Sequence, residues 1–393
     1  MKRFRALLLL MILLISPASE IHAQDSVSVA DSSETKRKLE VKGYLKNLEY
    51  ISFTDGFGSS ISNNLIHNRI NIKWKPAVNF TTALELRNRL FWGEEVKTNP
   101  AFEDLLENQT EAFDLSKVWF GSKSAILHTN VERLWAEYHS ARMNLRLGRQ
   151  RLNWGINTLW NPNDLFNTYN FLDFDYEERP GSDAIKGQYH FSYTTNLELA
   201  AVTSAEDKQI AALKLFTNKW TYDFQFMGAW FIEQWTAGTG WAGSIGDAGF
   251  KGELMYFFKS EKAKSQLNAS LELDYMFKNE WYLNLAGLYN QRGVNQQIAN
   301  LESLNFRLSP KNLLPVKWTL AVTTNKQINP LLQAGFTGTY SPGTDLVILY
   351  PSLRYNLATN LDMDLVWQSF LAGLNGELQD LNHRAFLRVK WSF

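Results

Sequence analysis

The C-terminal stretch His383-Arg-Ala-Phe-Leu-Arg-Val-Lys-Trp-Ser-Phe393 decides the fold. Ala385, Leu387, Val389, Trp391 and Phe393 fall on one face of an extended chain, and Arg384, Arg388, Lys390 and Ser392 on the other. Alternation of period two marks a strand with one apolar and one wet side. It runs into an aromatic terminus with no polar tail to shield an edge, so the strand reads as one that closes a barrel. The apolar face would meet lipid and the charged face a wet lumen.

The pattern recurs along the chain. Ile66, Ile70, Ile72 and Trp74 alternate with His67, Arg69, Asn71 and Lys73, and the chain turns at Pro76-Ala-Val-Asn79. Phe80, Leu84, Leu86, Leu90 and Trp92 then alternate with Ala83, Glu85, Arg87 and Arg89. Acids at Glu272, Asp274, Asp362 and Asp364 alternate with apolar neighbours, and the cost of a carboxylate in hydrocarbon places them in the lumen. Short turns are expected at 139–142, 194–196, 218–219, 246–248, 278–280, 329–330 and 359–360, where Asn, Asp and Gly recur. The expected fold is all-β: a single closed antiparallel transmembrane β-barrel of about 18 strands over 38–393. The tenth strand, 233–243, rests on Trp235, Ala237, Thr239 and Trp241 with Gly between them; without it and one other the count is sixteen. An even number returns both ends to one side, the periplasm in a bacterial outer membrane. So wide a ring leaves space that wall side chains cannot fill, which calls for water or for inward-folding outer loops.

The N-terminus agrees with export. Lys2, Arg3 and Arg5 precede the apolar run 6–15, and small-residue cleavage fits after Ala23. Residues 1–23 read as a signal peptide and 24–37 as a flexible periplasmic segment. Cleavage removes Lys2, Arg3, Arg5 and Glu20 and takes the formal charge from zero to minus two. That balance argues against a nucleic-acid partner. The chain has no Cys, which excludes a thiolate metal site, a Cys nucleophile and a lipoprotein anchor. Aromatic residues make up 14% of a chain whose mean hydropathy is only −0.28, as strands wetted on one side require.

Three outer loops are long: 93–128 and 291–315, each with a stretch that suits a short helix, and 155–183. The last carries Trp160, Phe166, Tyr169, Phe171, Phe174 and Tyr176, too much aromatic surface to leave in water. Packing them inward brings Asp164, Asp173, Asp175, Glu177 and Glu178 toward the pore. Arg146, Arg149 and Arg151 precede this loop, and Arg69, Arg87, Arg89, Arg133, Arg384 and Arg388 lie on nearby strands once the last strand pairs with the first. An arginine wall facing an acidic loop would set a transverse field across a constriction. The same charges would equally lock the loop in place. The spacing Asp173-x-Asp175-x-Glu177 offers oxygen ligands to Ca²⁺ but lacks the Gly and final Glu of a calcium loop, so no cofactor is assigned. The six His residues form no helical metal pair and Gly-x-Ser-x-Gly is absent, so no catalytic residues are assigned and an enzyme is not expected.

The segment Leu147-Gly-Arg-Gln-Arg-Leu-Asn-Trp-Gly155, followed by Trp160-Asn-Pro-Asn-Asp-Leu-Phe166, resembles a feature of porin-like outer-membrane barrels of Bacteroidota. There a GRQ-x-x-x-WG strand end leads into an NP-x-D-x-F loop. The resemblance implies that Gly148, Trp154, Asn161 and Asp164 anchor the loop, and that Phe393 is part of the signal read by the barrel assembly machinery. Outer-membrane lipid, lipopolysaccharide and other outer-membrane proteins are the remaining implied partners. The expected function is passive passage of small polar or anionic solutes. The alternatives are a plugged barrel serving as accessory subunit of a larger outer-membrane complex, and a polysaccharide export channel.

Overall fold

A computed structural model describes residues 38–54, 60–107, 111–175, 178, 180–203, 209–297, 308–374 and 376–393. The signal peptide and the segment to residue 37, together with Tyr176, Glu177 and the helix expected near 296–304, lie mostly or wholly outside these residues. Nineteen strands form one antiparallel sheet that closes on itself: β1 (Leu39–Phe53) pairs with β2 (Ile61–Ala77) on one side and with β19 (Glu377–Ser392) on the other. Eighteen strands run the wall. The other, β4 (Ser116–Gly121), only extends the upper edge of β5 (Ala125–His139), whose lower half pairs with β6 (Met143–Gln150). The sixteen-strand count is therefore wrong, and loop 93–128 holds an unexpected strand beside its short helices Glu94–Thr98 and Phe102–Glu107.

The closing seam is specific. Gly43 N–H donates to the Phe393 carbonyl at 2.9 Å and Phe393 N–H returns to the Gly43 carbonyl at 3.0 Å. Gly43 lets the Phe393 ring approach; an added Cβ would sit 2.7 Å from it. Bonding every backbone group between neighbours is what allows strands to cross hydrocarbon.

The faces follow the expected register. Leu271 is half exposed on the outside, while Glu272 is 1% exposed within. Outward Leu, Phe and Trp side chains continue around the wall, so the barrel spans a membrane with both ends of the wall on the short-turn side. The expected tenth strand is β11 (Gln234–Ile245), between β10 (Tyr222–Phe231) and β12 (Ala248–Phe257).

One turn differs. Between β9 (Ile210–Lys219) and β10 the chain reverses at Trp220-Thr221, both at positive φ (54° and 65°), rather than at Asn218-Lys219. A two-residue hairpin of this hand usually takes Asn-Gly. Trp-Thr carries no such signal, so Trp220 reads from sequence as the first lipid-facing strand residue.

The wall has uneven height. Strands β17 (Leu346–Ala358) to β19, β1 to β3 (Phe80–Gly93) and β5 hold 13 to 17 residues. By contrast β6, β7 (Ser182–His190) and β8 (Thr195–Val202) hold 8, 9 and 8. The remaining wall strands are β13 (Gln266–Met276), β14 (Trp281–Asn290), β15 (Trp318–Asn329), β16 (Leu332–Ser341) and β18 (Leu361–Leu374).

The two faces make opposite demands on a cation. Leu271→Arg should reduce heat-modifiable, folded barrel, because a cation near the midplane costs about 2–4 kcal/mol. Asn325→Arg, on the lumen side of β15, should leave folding intact. Equal folding yields on gels would show the faces to be misassigned.

Candidate functional site

The chain leaves the wall after Gln150, ahead of the loop expected from 155, and rejoins it at Ser182. Gly148, at φ +113°, bends β6, and the buried Gln150 amide donates to the Ala184 carbonyl at 3.0 Å. From there the loop runs into the lumen. Its two anchorages, on β12–β13 and on β18–β19–β1, lie about six strands apart from each other and from β6–β7, so the chain spans the ring.

At the first anchorage, lumenal carboxylates replace the lost ladder. Glu253 on β12 accepts backbone N–H bonds from Ile156, from Asn157 at 2.9 Å and from Asn163 at 2.9 Å. Glu272 on β13 accepts from Thr158 and Leu159, each at 2.8 Å. Between them Ser270 accepts from the Asn157 amide at 2.6 Å and donates to the Trp160 carbonyl at 2.9 Å. Glu272 thus holds the loop rather than facing open water.

The aromatic and glycine positions make this docking fit. Trp154 donates its indole N–H to Glu198 on β8 and packs edge-on against Phe166 at 5.0 Å. Gly238 and Gly240 on β11 face inward and leave room for Asn163, which would lie 3.0 Å from a Cβ at either position. Within the motif, a Cβ at Gly155 would collide with the Asn161 side chain. Asn161, Asn163 and Asp164 are all buried. Two apolar clusters fill the lumen around this half of the loop, one with Leu152, Trp154 and Leu165 against Met255 and Phe257, the other with Leu159 and Trp160 against Leu313, Leu314 and Val316.

The second anchorage is ionic. Lys46 on β1 bonds both the Asp175 carboxylate and its carbonyl at 2.7 Å, and His67 Nδ1 lies 3.5 Å from the other oxygen. Burial pushes the Asp175 carboxyl up, but the His67 hydrogen bond and the Lys46 charge prevail and hold it below the usual carboxylate range. Tyr44 donates to Glu178 at 3.1 Å, with Arg69 3.6 Å away. Arg388 lies over the Phe174 ring at 4.3 Å, and Gln368 donates to the Leu172 carbonyl at 2.8 Å.

The arginine wall is corrected by this geometry. Most of the expected arginines bond acids on adjacent strands, and two of them, Arg69 and Arg388, also reach the loop. Arg69 and Arg133 share Glu85, Arg87 holds Glu132 at 2.8 Å and Arg146 holds Glu137. Arg149 meets Asp183 at 2.9 Å, and Arg388 meets Asp364 at 2.8 Å. Arg146 also lies over Trp135, 4.1 Å from its ring centre, and Arg151 is exposed; neither lines the cavity beside the loop acids. Arg89, 3.0 Å from His128, does line it, with Arg87 and Arg384. The Ca²⁺ spacing is not assembled among the described residues: Asp175 bonds Lys46, and Asp173 accepts the Asp175 N–H at 3.2 Å. Tyr44, Lys46, His67 and Glu253 were missed as loop anchors, because only the register shows that they point at the loop.

Two chambers border the loop among the described residues. The upper, toward the long loops, encloses about 750 Å³ with Arg87, Arg89 and Arg384 facing Glu95, Asp173 and Asp175. The lower, toward the short turns, encloses about 330 Å³ between Tyr169, Phe171 and strands β15 to β18. Phe174 lines both, so the segment around it is the partition.

No protein-family model and no curated protein matches the chain. Solved structures of outer-membrane barrels do match in fold. Acinetobacter baumannii OccAB4 aligns with a TM-score of 0.57 at 10% identity, over 91% of this chain and 99% of that one. Pseudomonas aeruginosa OccK8 (OprE) aligns at 0.54 and 10%, over 90% and 98%. Acinetobacter baumannii OccAB1 aligns at 0.53 and 10%, over 93% and 100%. The shared feature is the porin-like β-barrel fold.

Glu253→Ala would strand three backbone N–H groups. Each charge-assisted bond contributes about 1.5–3 kcal/mol, so amide exchange at residues 156, 157 and 163 should accelerate by tenfold or more. Exchange in β1 and β19 should not change. Hydrogen-exchange mass spectrometry of the folded barrel checks both, and unaltered exchange in the loop would show that apolar packing alone holds it.

Proposed function

We propose that this chain is an outer-membrane channel for passive passage of small polar or anionic solutes, narrowed by loop 151–181. The supporting observation is the pair of chambers on either side of one short loop segment. Arg89 and Arg384 border the upper chamber; Arg89 lies 3.0 Å from His128, and Arg384 lies over Phe370 at 5.4 Å from its ring centre. Cations that line a passage without forming a closed site attract an anion and still release it. The porin-like fold suits this role, and its known occupants give no indication of catalysis. The GRQ-x-x-x-WG and NP-x-D-x-F stretches are the basis for assigning the chain to Bacteroidota. Residues 1–23 serve as its signal peptide, and lipopolysaccharide and the assembly machinery, which would read Phe393, are its proposed partners.

The plugged, accessory barrel is supported by a different observation: the two lumenal apolar clusters are built like protein cores. A polysaccharide exporter would need a continuous basic path, and the strand-borne acids interrupt it.

Planar-bilayer recordings separate the first two readings. The channel should conduct with anion preference, and Arg89→Glu with Arg384→Glu should move the reversal potential under a salt gradient toward cations. Deleting residues 169–175 should raise conductance. A wild type that stays silent and conducts only after that deletion would make the loop a plug and favour the accessory role.

A further inference from the structure

On the outer face of β6 to β10, Leu147, Ile185, Ala201, Ala211 and Trp230 stand opposite one another in turn and form one cross-strand row. Their chain neighbours Ala184, Ala200, Ala212 and Ala229 are buried on the lumen side, so the row itself faces lipid. The two alanines between Ile185 and Trp230 leave the surface low, and a groove of about 890 Å³ lies there. One row nearer the short turns, the exposed Leu199 and Leu213 take the same columns of β8 and β9, and the groove stops.

The other end of the groove is polar. Arg149 and Asp183 stand opposite each other one row above Leu147 and Ile185, on the same outward side. An ion pair left bare against hydrocarbon would be costly. It is covered instead by the segment Phe113-Asp114-Leu115: the Phe113 N–H donates to Asp183 at 3.0 Å, and Arg149 and Asp183 are only 3% and 8% exposed. Beside this roof, Thr203 and Gln209 continue the alanine columns with an exposed hydroxyl and an exposed amide. A strand needs about 9–11 residues to cross hydrocarbon. Strands β6, β7 and β8 hold 8, 9 and 8, which brings the polar mouth down to the edge of the apolar layer on the long-loop side.

An apolar trough that opens on hydrogen-bonding groups at the membrane's edge matches the polarity of a lipid, chain below and ester region above. The trough continues the lipid-facing wall, so lipid reaches it without rearrangement. A second barrel fits it poorly: a flat wall would rest on Phe113, Leu147 and Ile185, each more than half exposed, and leave the alanines uncovered. A single methylene chain is narrow enough to lie over them. We propose that this groove holds one acyl chain of an outer-leaflet lipid, with the lipid's ester and hydroxyl oxygens at Thr203 and Gln209. The site depends on the orientation of the barrel and not on whether its lumen conducts.

Photo-crosslinking of the detergent-solubilised full barrel tests it, with lipid A that carries a diazirine in one acyl chain, added in near-stoichiometric amount. Peptide mapping should place the adducts on 183–185, 201–203 and 209–211, and unlabelled lipid A should compete them away. Ala201→Phe with Ala211→Phe fills the groove with side chains that lipid tolerates. Adduct yield there should fall roughly tenfold, the effect of losing burial of about two methylenes. Heat-modifiable mobility identifies folded variants, and Ala211→Leu alone decides if the double variant misfolds. Adducts spread evenly over the outer wall, Leu271 and Leu285 included, or yields unchanged in the folded variants, would overturn the site. So would a barrel dimer whose contact protects these peptides from labelling, which would make the groove a subunit contact. Displacement of lipid A by an equal amount of palmitate would overturn it too, in favour of a free fatty acid.

Discussion

Everything inside this barrel depends on how a loop that leaves the wall pairs its backbone. In the sheet each N–H and C=O is satisfied by a neighbouring strand; in the lumen that partner is gone, and an unpaired buried group costs about 1–3 kcal/mol. Glu253 and Glu272 meet the demand by accepting five backbone N–H contacts from Ile156, Asn157, Asn163, Thr158 and Leu159. Their carboxylates are stabilised by these donors, and the donors by the carboxylates. The glycines at 238 and 240 follow from the same constraint, since the loop reaches its acceptors only where β11 presents no side chain.

The charges obey a second rule, set by register. Glu85 lies opposite Arg133, Glu137 opposite Arg146, Arg149 opposite Asp183, and Asp364 opposite Arg388. Cross-strand neighbours sit close enough to bond without any help from tertiary folding. Opposite charges placed there neutralise each other before the loop arrives. That leaves the loop acids to Lys46, Tyr44 and His67, which have no such acidic partner directly across from them.

The fold was legible in the sequence because period two survives wherever one face is lipid and the other water. The closing strand and the inward acids carry that signal, and the loop is announced instead by its aromatic surface. The turn at Trp220-Thr221 did not, because its positive φ values have no glycine or asparagine to announce them. The site was legible only by residue type. Arginines and acids could be named, but which of them meet depends on a register shared by strands far apart in sequence. Once the register is known, Arg87 stands opposite Asn130 with Glu132 two residues on, and Arg384 stands between Ser52 and Gln368 with no acid directly across from it.

The loop is held in two different ways, and this bears on what the lumen can do. Residues 154–165 are packed into apolar clusters and bonded through the backbone, so moving them would expose a core. Residues 172–175 are held by the Gln368 amide, by Arg388 and Phe386 around Phe174, and by Lys46 and His67 on Asp175, contacts that are mostly polar. The weaker attachment lies under the tall wall, where the upper chamber borders β1 to β3 and β17 to β19. The stronger lies across the side where the strands are short. A barrel arranged this way is filled by apolar packing over part of its section and partitioned by only a few residues over the rest. Phe174 lines both chambers and stands where one gives way to the other.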